Sequence, residues 1–393
     1  MNTLSTPTIQ PQTLTKIGVI GGGQLAWMMG MEAASLGVSL FVQTPHTTDP
    51  AVAFASETIL AAIDDATATA KLATRCDVIT FENEFVDLNA LSKLAEQGAC
   101  FRPRLQALSL LLDKYDQLSY LEKIGLPVPA FQLLTAENNQ TIDHNLGYPV
   151  VLKACRYGYD GQGTFIIKNP EELSQTWAKF NYPPMLLQKF VPFERELAVI
   201  AARSVTGEVV VYPIVETVQK NQVCHRVIVP ANINKTLSEQ IEAIAKTLLN
   251  SLQVIGVFGI ELFLTSEGEL LVNEIAPRTH NSGHFSLDAC ETSQFKQHLR
   301  AVSGLPLGNT ALNCSGAVMV NLLGFETANS DYSQKRQKIA EIPNTFIRWY
   351  GKTASRPGRK LGHVTVLIHT ENDQNIEQEA KTIADKIESF WYS

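Results

Sequence analysis

The opening hundred residues restrict the fold more than any other stretch of the chain. An apolar run, Ile17-Gly18-Val19-Ile20, leads into Gly21-Gly22-Gly23-Gln24 and then a helical stretch ending near Leu36-Gly37. Val38 to Val42 supplies a second strand, Asp65 to Arg75 a helix, Val78 to Phe81 a third strand and Asp87 to Gln97 another helix. Strands that alternate with helices need crossover connections, so this pattern predicts a doubly wound, Rossmann-like parallel sheet. Leu105 to Ile124 reads as one helix, closed by Gly125 and followed by Pro127 and Pro129, with a domain boundary along it.

Beyond that helix the strands change character. Val150 to Lys153, Thr164 to Ile167, Met185 to Phe190, Arg195 to Arg203, Val209 to Gln219 and Val223 to Val229 have few helices between them, which predicts a mostly antiparallel region. A helix over Leu237 to Leu252 precedes strands Gly256 to Thr265 and Glu269 to Ile275, joined by a turn at Glu267-Gly268. Residues 326 to 342 read as polar and helix-poor, ahead of strands at Phe346 to Tyr350 and Gly362 to Ile368. The fold class is therefore mixed α/β and α+β, and 393 residues are too many for one core.

A net charge of −7 leaves no general basic field for nucleic acid or anionic lipid, so an anionic ligand needs a local cluster of donors. No apolar run is long enough to span a membrane. The uncharged segment Met1 to Thr15 lacks the basic start and apolar block of a secretory signal and reads as a loose tail. Cys76, Cys100, Cys155, Cys224, Cys290 and Cys314 form no C-x-x-C pair, as expected of small apolar residues in the reducing cytoplasm.

Several segments carry candidate chemistry. Gly21-Gly22-Gly23-Gln24 lies between strand and helix, where free N–H groups and the helix dipole favour phosphate. A nicotinamide dinucleotide would want an acid after the second strand, where Gln43, Thr44 and Pro45 stand; phosphate binding and a purely structural turn both stay open. Gly158-Tyr159-Asp160-Gly161-Gln162-Gly163, five residues after Lys153, can fold closely over phosphate oxygens or serve as a plain hairpin turn.

A turn centred on Glu267-Gly268 would set Glu261 directly opposite Glu274 on the adjacent strand. Like charges so placed repel, and Mg²⁺ would remove the penalty; edge-strand acids neutralised by lysine, or a turn register one residue off, are the alternatives. Next come Arg278, His280 and Asn281, donors suited to a small oxyanion, or else a loop bonded to itself. Ser282, Gly283 and Pro277 make a helical zinc pair of His280 and His284 improbable. Lys352, Arg356, Arg359 and Lys360 around Pro357-Gly358 form a basic turn, able to wrap a phosphate or simply to face water.

Together and in this order, Gly21-Gly22-Gly23-Gln24-Leu25, Thr80-Phe81-Glu82-Asn83-Glu84, Gly158-Tyr159-Asp160-Gly161, Asn273-Glu274-Ile275-Ala276-Pro277-Arg278, His280-Asn281-Ser282-Gly283-His284 and Arg356-Pro357-Gly358-Arg359-Lys360-Leu361-Gly362-His363 resemble the ATP-grasp enzymes. Within them the match is to the 5-(carboxyamino)imidazole ribonucleotide synthase family. The resemblance implies a tail over 1–15, a Rossmann-like pre-ATP-grasp domain over 16–112, an ATP-grasp domain pair over 113–315 with a lid at about 125–190, and a small C-terminal β-rich domain over 316–393.

It further implies a homodimeric ligase that joins bicarbonate to 5-aminoimidazole ribonucleotide with ATP and Mg²⁺, or Mn²⁺ in its place. Lys114 and Lys153 would hold ATP phosphates under a loop of Gly158, Tyr159, Gly161, Gln162 and Gly163. Gln188, Lys189, Phe190, Val191 and Glu196 would take adenine and ribose, with Gln219 and Asn273 also at the nucleotide. Glu261 and Glu274 would bind metal, Arg278, His280 and Asn281 would position bicarbonate, and Asp160 would accept the substrate's amine proton. The ribonucleotide would lie on Gly23, Gln24 and Leu25, with Glu82, Tyr159 and Asp160 near its ring and amine and Lys352 and Arg359 on its phosphate. Gln162 departs from a position often basic in this family, Gln219 from a common histidine, and Ala26 and Trp27 from a glycine and an arginine.

Overall fold

The computed structural model describes residues 13–135, 145–156, 158, 163–370 and 375–393. Leu14 and Thr15, at the end of the expected tail, are tied to the body: their N–H groups donate to Ser303 O at 2.8 Å and to the Asp77 carboxylate at 3.0 Å. β1 (Lys16–Ile20), α1 (Gln24–Ala33), β2 (Ser39–Thr44), β3 (Glu57–Leu60), α2 (Ala66–Ala73), β4 (Val78–Phe81) and α3 (Leu88–Glu96) follow. Their four strands form a parallel sheet in the order β3-β2-β1-β4. Ile17, Val19 and Ile20 are fully buried, as expected where helices cover both faces of a parallel sheet. β3 escaped the sequence reading because it is a half-exposed edge strand without clean alternation.

The helix expected over Leu105–Ile124 is two, α4 (Leu105–Ser109) and α5 (Lys114–Lys123). Asp113 restarts it: its carboxylate accepts hydrogen bonds from Tyr115 N and Asp116 N at 2.8 and 3.2 Å, an N-cap that competes with helix continuation. That break puts Lys114 at the first position of α5, its N–H bonded to Cys155 O at 2.8 Å. β5 (Phe131–Leu134), β6 (Val150–Ala154), β7 (Thr164–Ile167), α6 (Pro170–Ala178) and β8 (Met185–Lys189) come next, with an antiparallel sheet in the order β5-β8-β6-β7. α6 packs on it through Leu173 and Trp177.

The central sheet begins with β9 (Phe193–Arg203), β10 (Val209–Val211), β11 (Val215–Lys220), β12 (Val223–Val229), α7 (Lys235–Leu252), β13 (Gly256–Thr265) and β14 (Leu270–Ala276). After α8 (Ser286–Ala289) and α9 (Gln294–Ser303) it takes in β15 (Gly316–Leu323), β17 (Thr345–Trp349) and β19 (Lys360–Ile368), while β16 (Ala328–Asn329) and β18 (Ala354–Ser355) pair separately. Its order is β14-β13-β9-β11-β12-β15-β19-β17, so the C-terminal strands extend one antiparallel sheet. Two expected elements differ. The strand predicted over Val209–Gln219 is broken around Pro213, which has no N–H for a ladder, and both halves pair with β9. The stretch 326–342 contains α10 (Ser333–Ala340), which buries only Ile339 and reads as polar because it is almost entirely surface.

α7 buries Ile241, Ile244, Ala245, Leu248, Leu249 and Leu252, an i, i+3, i+4, i+7 stripe, and lies against the β9–β13 face of the sheet. α11 (Ile376–Trp391) covers the C-terminal strands with Ile376, Ala380, Ala384, Ile387 and Trp391. Its Glu388 accepts from Arg226 Nε at 2.7 Å and Lys220 Nζ at 2.8 Å, pinning the β11–β12 hairpin. Among the described residues no helix is long and apolar enough to cross a membrane.

Arg226 and Lys220 overcome burial and hold the Glu388 carboxyl down at about 2. Because the folded value lies below the unfolded one, this stabilisation is complete above the ordinary glutamate range and lost as pH falls through it toward 2. Glu388→Gln is expected to cost on the order of 3 kcal/mol at pH 7. In denaturant titrations the gap to the parent chain should close as pH is lowered from about 4.5 toward 2.

Candidate active site

The β13–β14 hairpin brings the two acids together by a route the turn alone does not provide. From its tip the pairs run Leu264↔Leu270, Phe263↔Leu271 and Leu262↔Val272; the register then shifts, and Glu261 pairs with Glu274. The extra residue, Asn273, is a β-bulge that lets Asn273 and Glu274 both leave the buried side of the strand. Gln117 fixes β14 there, accepting from Ile275 N at 2.7 Å and donating to Ile275 O at 3.0 Å.

Two lysines approach this edge. Lys114, at the start of α5, lies 2.5 Å from Glu274 Oε2, and Lys153, on β6, donates to Asn273 Oδ1 at 3.1 Å. Burial and Glu274 push the Glu261 carboxyl up to about 7. Burial opposes the Glu274 charge too, but Lys114, by charge and hydrogen bond, with Lys153, holds Glu274 below the usual carboxylate range. Burial and then Glu261 raise Glu196 to about 7. Burial and the neighbouring Lys114 lower Lys153 to about 8.

Beyond the acids, Arg278 contacts Glu84 Oε1 through Nε at 2.8 Å, and His280 Nε2 lies 3.4 Å from Glu261 Oε1. Burial, Arg278 and Lys360 push His280 down to about 3, so it is a neutral imidazole. Its Nδ1 lies 2.8 Å from Ser282 Oγ and 3.4 Å from Ser282 N, which orients the ring with Nε2 toward Glu261. Asn281 spends much of its amide on Asn321, donating at 3.0 Å and accepting at 2.7 Å.

At the glycine turn the expected anion is a protein carboxylate. Glu82 accepts from Gly23 N at 2.9 Å and Leu25 N at 3.2 Å, so two of the amides expected to meet a phosphate are already bonded. Burial raises the Glu82 carboxyl against those bonds and against Arg278 and Lys352. Gln24 Oε1 accepts from Lys352 Nζ at 2.9 Å. Burial, with Arg359 close by, lowers Lys352 to about 8. Arg359 itself donates to Ala354 O within its own turn.

One cavity of about 740 Å³ is lined by Gly23, Gln24, Leu25, Glu82, Lys114, Lys153, Gly158, Glu196, Gln219, Glu261, Asn273, Glu274, Arg278, His280, Asn281 and Lys352. Gln188, Lys189, Phe190 and Val191 form a further wall, where the buried Gln188 Nε2 has no partner among the described residues. Phe193 and Phe263 stack beside them at 4.6 Å. Gly163, at φ +78°, and Arg359 are not on the lining. Tyr159, Asp160, Gly161 and Gln162 lie outside the described residues.

The sequence reading gave no role to Glu84, Gln117 or Asn321, nor a separate one to Lys360, which also lines the cavity. Gln117 and Asn321 act through partners 158 and 40 residues away, a separation at which no local pattern signals contact.

Three family models cover most of the chain: a ribonucleotide synthetase preATP-grasp domain over residues 14–111, an ATP-grasp domain over 119–295 and a phosphoribosylaminoimidazole carboxylase C-terminal domain over 317–378. A parallel-sheet domain ahead of two antiparallel sheets that enclose paired acids and lysines defines an ATP-grasp ligase. N5-carboxyaminoimidazole ribonucleotide synthase of Synechococcus elongatus is 52% identical over 392 residues, covering 100% of this chain and 98% of that protein. The Bacillus subtilis enzyme of the same name is 39% identical, covering 91% and 92%.

Among solved structures, an ADP complex of N5-carboxyaminoimidazole ribonucleotide synthetase superposes with a TM-score of 0.87 at 36% identity, covering 98% of this chain and 100% of that one. The Aspergillus clavatus synthase with ADP and 5-aminoimidazole ribonucleotide gives 0.87 at 30% identity, covering 97% and 100%. The chain belongs to the N5-carboxyaminoimidazole ribonucleotide synthase family, ligases that carboxylate 5-aminoimidazole ribonucleotide at the expense of ATP in purine biosynthesis.

The raised Glu261 carboxyl yields a signed expectation. Its folded value lies above the unfolded one, so it favours the fold at low pH and opposes it as pH rises toward 7. Without nucleotide or metal, Glu261→Gln should therefore match the parent near pH 4.5 and become the more stable of the two as pH rises to 8. Thermal melts across that range provide the check.

Proposed function

We propose that the acid activated here is bicarbonate, that it reacts through carboxyphosphate, and that the residues around Glu261 and Glu274 carry this chemistry. The observation that bears the reading is the meeting of paired carboxylates, Lys114, Lys153, Arg278 and His280 along one wall of a single cavity. Bicarbonate is a poor nucleophile, so the protein's contribution is to place its oxygen in line with the γ-phosphorus and to balance developing charge.

Lys114 and Lys153 would hold the triphosphate. Glu261 and Glu274 present hard oxygen donors whose mutual repulsion a divalent cation relieves, which fits Mg²⁺ and also Mn²⁺. Such an ion, when bound, offsets phosphate charge. Arg278 and the neutral His280 would orient bicarbonate, with Asn281 contributing through what Asn321 leaves of its amide. Gln188 to Val191, Glu196, Gln219 and Asn273 would receive the nucleoside, the unpartnered Gln188 amide answering a base or ribose acceptor.

Bicarbonate oxygen would attack the γ-phosphorus with departure of ADP, and the substrate's amine would then take the carboxyl group and release phosphate. Asp160 is the proposed acceptor of that amine's proton. Gly23, Gln24, Leu25, Glu82, Tyr159, Lys352 and Arg359 would seat the ribonucleotide, Arg359 by turning from Ala354 O to the phosphate. Cytoplasmic residence is in keeping with the six cysteines forming no disulfide. The homodimer rests on family resemblance alone.

ADP release should require bicarbonate and rise when 5-aminoimidazole ribonucleotide is added; equal release with formate and glycinamide ribonucleotide would overturn the assignment. Glu274→Gln is expected to lower kcat by at least about a hundredfold with the unfolding midpoint preserved, whereas Arg359→Ala should raise KM for the ribonucleotide about tenfold with little change in kcat.

A further inference from the structure

Arg278 reaches the cavity from the loop after β14, on a long side chain with several rotatable bonds. A flexible cation that must meet a small oxyanion loses that freedom on binding, unless the protein has already fixed it. Two contacts fix it here. Thr279 O accepts from Nη1 at 3.1 Å, and the Glu84 carboxylate lies 2.8 Å from Nε, an ion pair by charge and distance whose angle is not that of a hydrogen bond. The side chain lines the cavity, and among the described residues Thr279 O is the hydrogen-bond acceptor seen for its Nη donors.

Glu84 comes from another domain, on the turn after β4 of the parallel sheet. The turn has its own supports: Glu82 N–H continues the ladder to Ile20 O at 2.9 Å, and Asn83 Oδ1 accepts from Phe85 N at 3.0 Å. Two acids two residues apart on this turn thus face different duties. Glu82 holds the glycine turn through Gly23 and Leu25, while Glu84 holds the guanidinium.

Glu84 and Arg278 retain 24% and 22% side-chain exposure, so the pair is screened too little to be a solvated surface contact and is open enough to leave the guanidinium fork accessible. Glu84 also has no other ion-pair partner among the described residues.

We infer that Glu84 is a positioning residue for the acid-binding half of the reaction: from the parallel-sheet domain it presets the Arg278 guanidinium for the oxyanion, without touching substrate itself. The inference rests on the reading of Arg278 as a bicarbonate ligand. Its consequence is specific to one substrate. Loss of Glu84 should weaken use of bicarbonate and leave ATP and the ribonucleotide alone, because neither the lysines beside Glu274 nor the Lys352–Gln24 contact involves it.

The test is steady-state kinetics in buffer depleted of CO₂, with bicarbonate, ATP and 5-aminoimidazole ribonucleotide each varied in turn. Glu84→Gln is expected to raise KM for bicarbonate about tenfold and leave the other two constants within about twofold. Arg278→Lys should raise it as well, and the double variant should be no worse than Arg278→Lys alone, since the two residues act as one unit. Glu84→Asp, which keeps the charge, should recover part of the loss. An unchanged ATP constant shows that the variant is folded.

A bicarbonate constant unchanged in Glu84→Gln, with Arg278→Lys impaired, overturns the inference and spares the reading of Arg278. An unchanged constant in Arg278→Lys removes that reading and this inference with it. A loss expressed in the ribonucleotide constant makes Glu84 a substrate contact and also overturns the positioning role.

Discussion

Glu261 and Glu274 are held opposite one another across β13 and β14, in surroundings where burial already disfavours a charge. Two carboxylates so placed cannot both ionise without compensation, and the structure divides the burden unequally. Lys114 stabilises the Glu274 charge directly, while Glu261 is left to share a proton equilibrium near neutrality. His280 adds no charge of its own, because burial and two neighbouring cations keep it neutral. The acids can therefore respond to a polyphosphate and its counter-ion, whereas a fully neutralised pair would have nothing to gain from either.

That arrangement depends on a bulge of one residue. In an unbroken hairpin the side chains of Asn273 and Glu274 would point to opposite faces; the extra residue lets both serve one wall. Gln117 prevents slippage by bonding both the N–H and the C=O of Ile275. The continuous sheet then carries the same frame outward, since β19 pairs with β15 and begins at Lys360, which lines the cavity. The basic turn and the acids are consequently registered by the backbone hydrogen bonds of one sheet, while the glycine turn belongs to the separate parallel sheet.

The parts legible in the sequence were those set by local chemistry. The alternating start, the α7 stripe and the β13–β14 hairpin follow from periodicity and turn residues, and the structure contains all three. Asp113 shows the limit: a capping residue inside a helical pattern can be read as one more polar position, yet its two hydrogen bonds restart the helix and so place Lys114. α10 hid behind its polarity, as a helix that buries one side chain must. At the glycine turn the motif left phosphate binding and a purely structural turn open, because nothing local shows that Gly23 N and Leu25 N meet Glu82, almost sixty residues away. The partnership of Glu84 with Arg278 is of the same kind, because residue type and spacing say nothing about which of two nearby acids meets a cation from another domain.

Charge explains why such long-range partners are needed. The chain as a whole carries −7, so nothing in its overall field retains a triphosphate, a ribonucleotide phosphate and a bicarbonate at once. The cavity concentrates Lys114, Lys153, Arg278, Lys352 and Lys360 against that background. Crowding and burial then work against the cluster, lowering Lys153 and Lys352 to about 8. Arginine resists this loss of charge because its guanidinium stays protonated across the accessible range, and beside Glu84 it is held higher still. The group best able to remain cationic thus stands where, on the proposed reading, the weakest ligand, a single small oxyanion, would be held. Lysines suffice where a polyphosphate brings several charges of its own and can restore their protonation on binding.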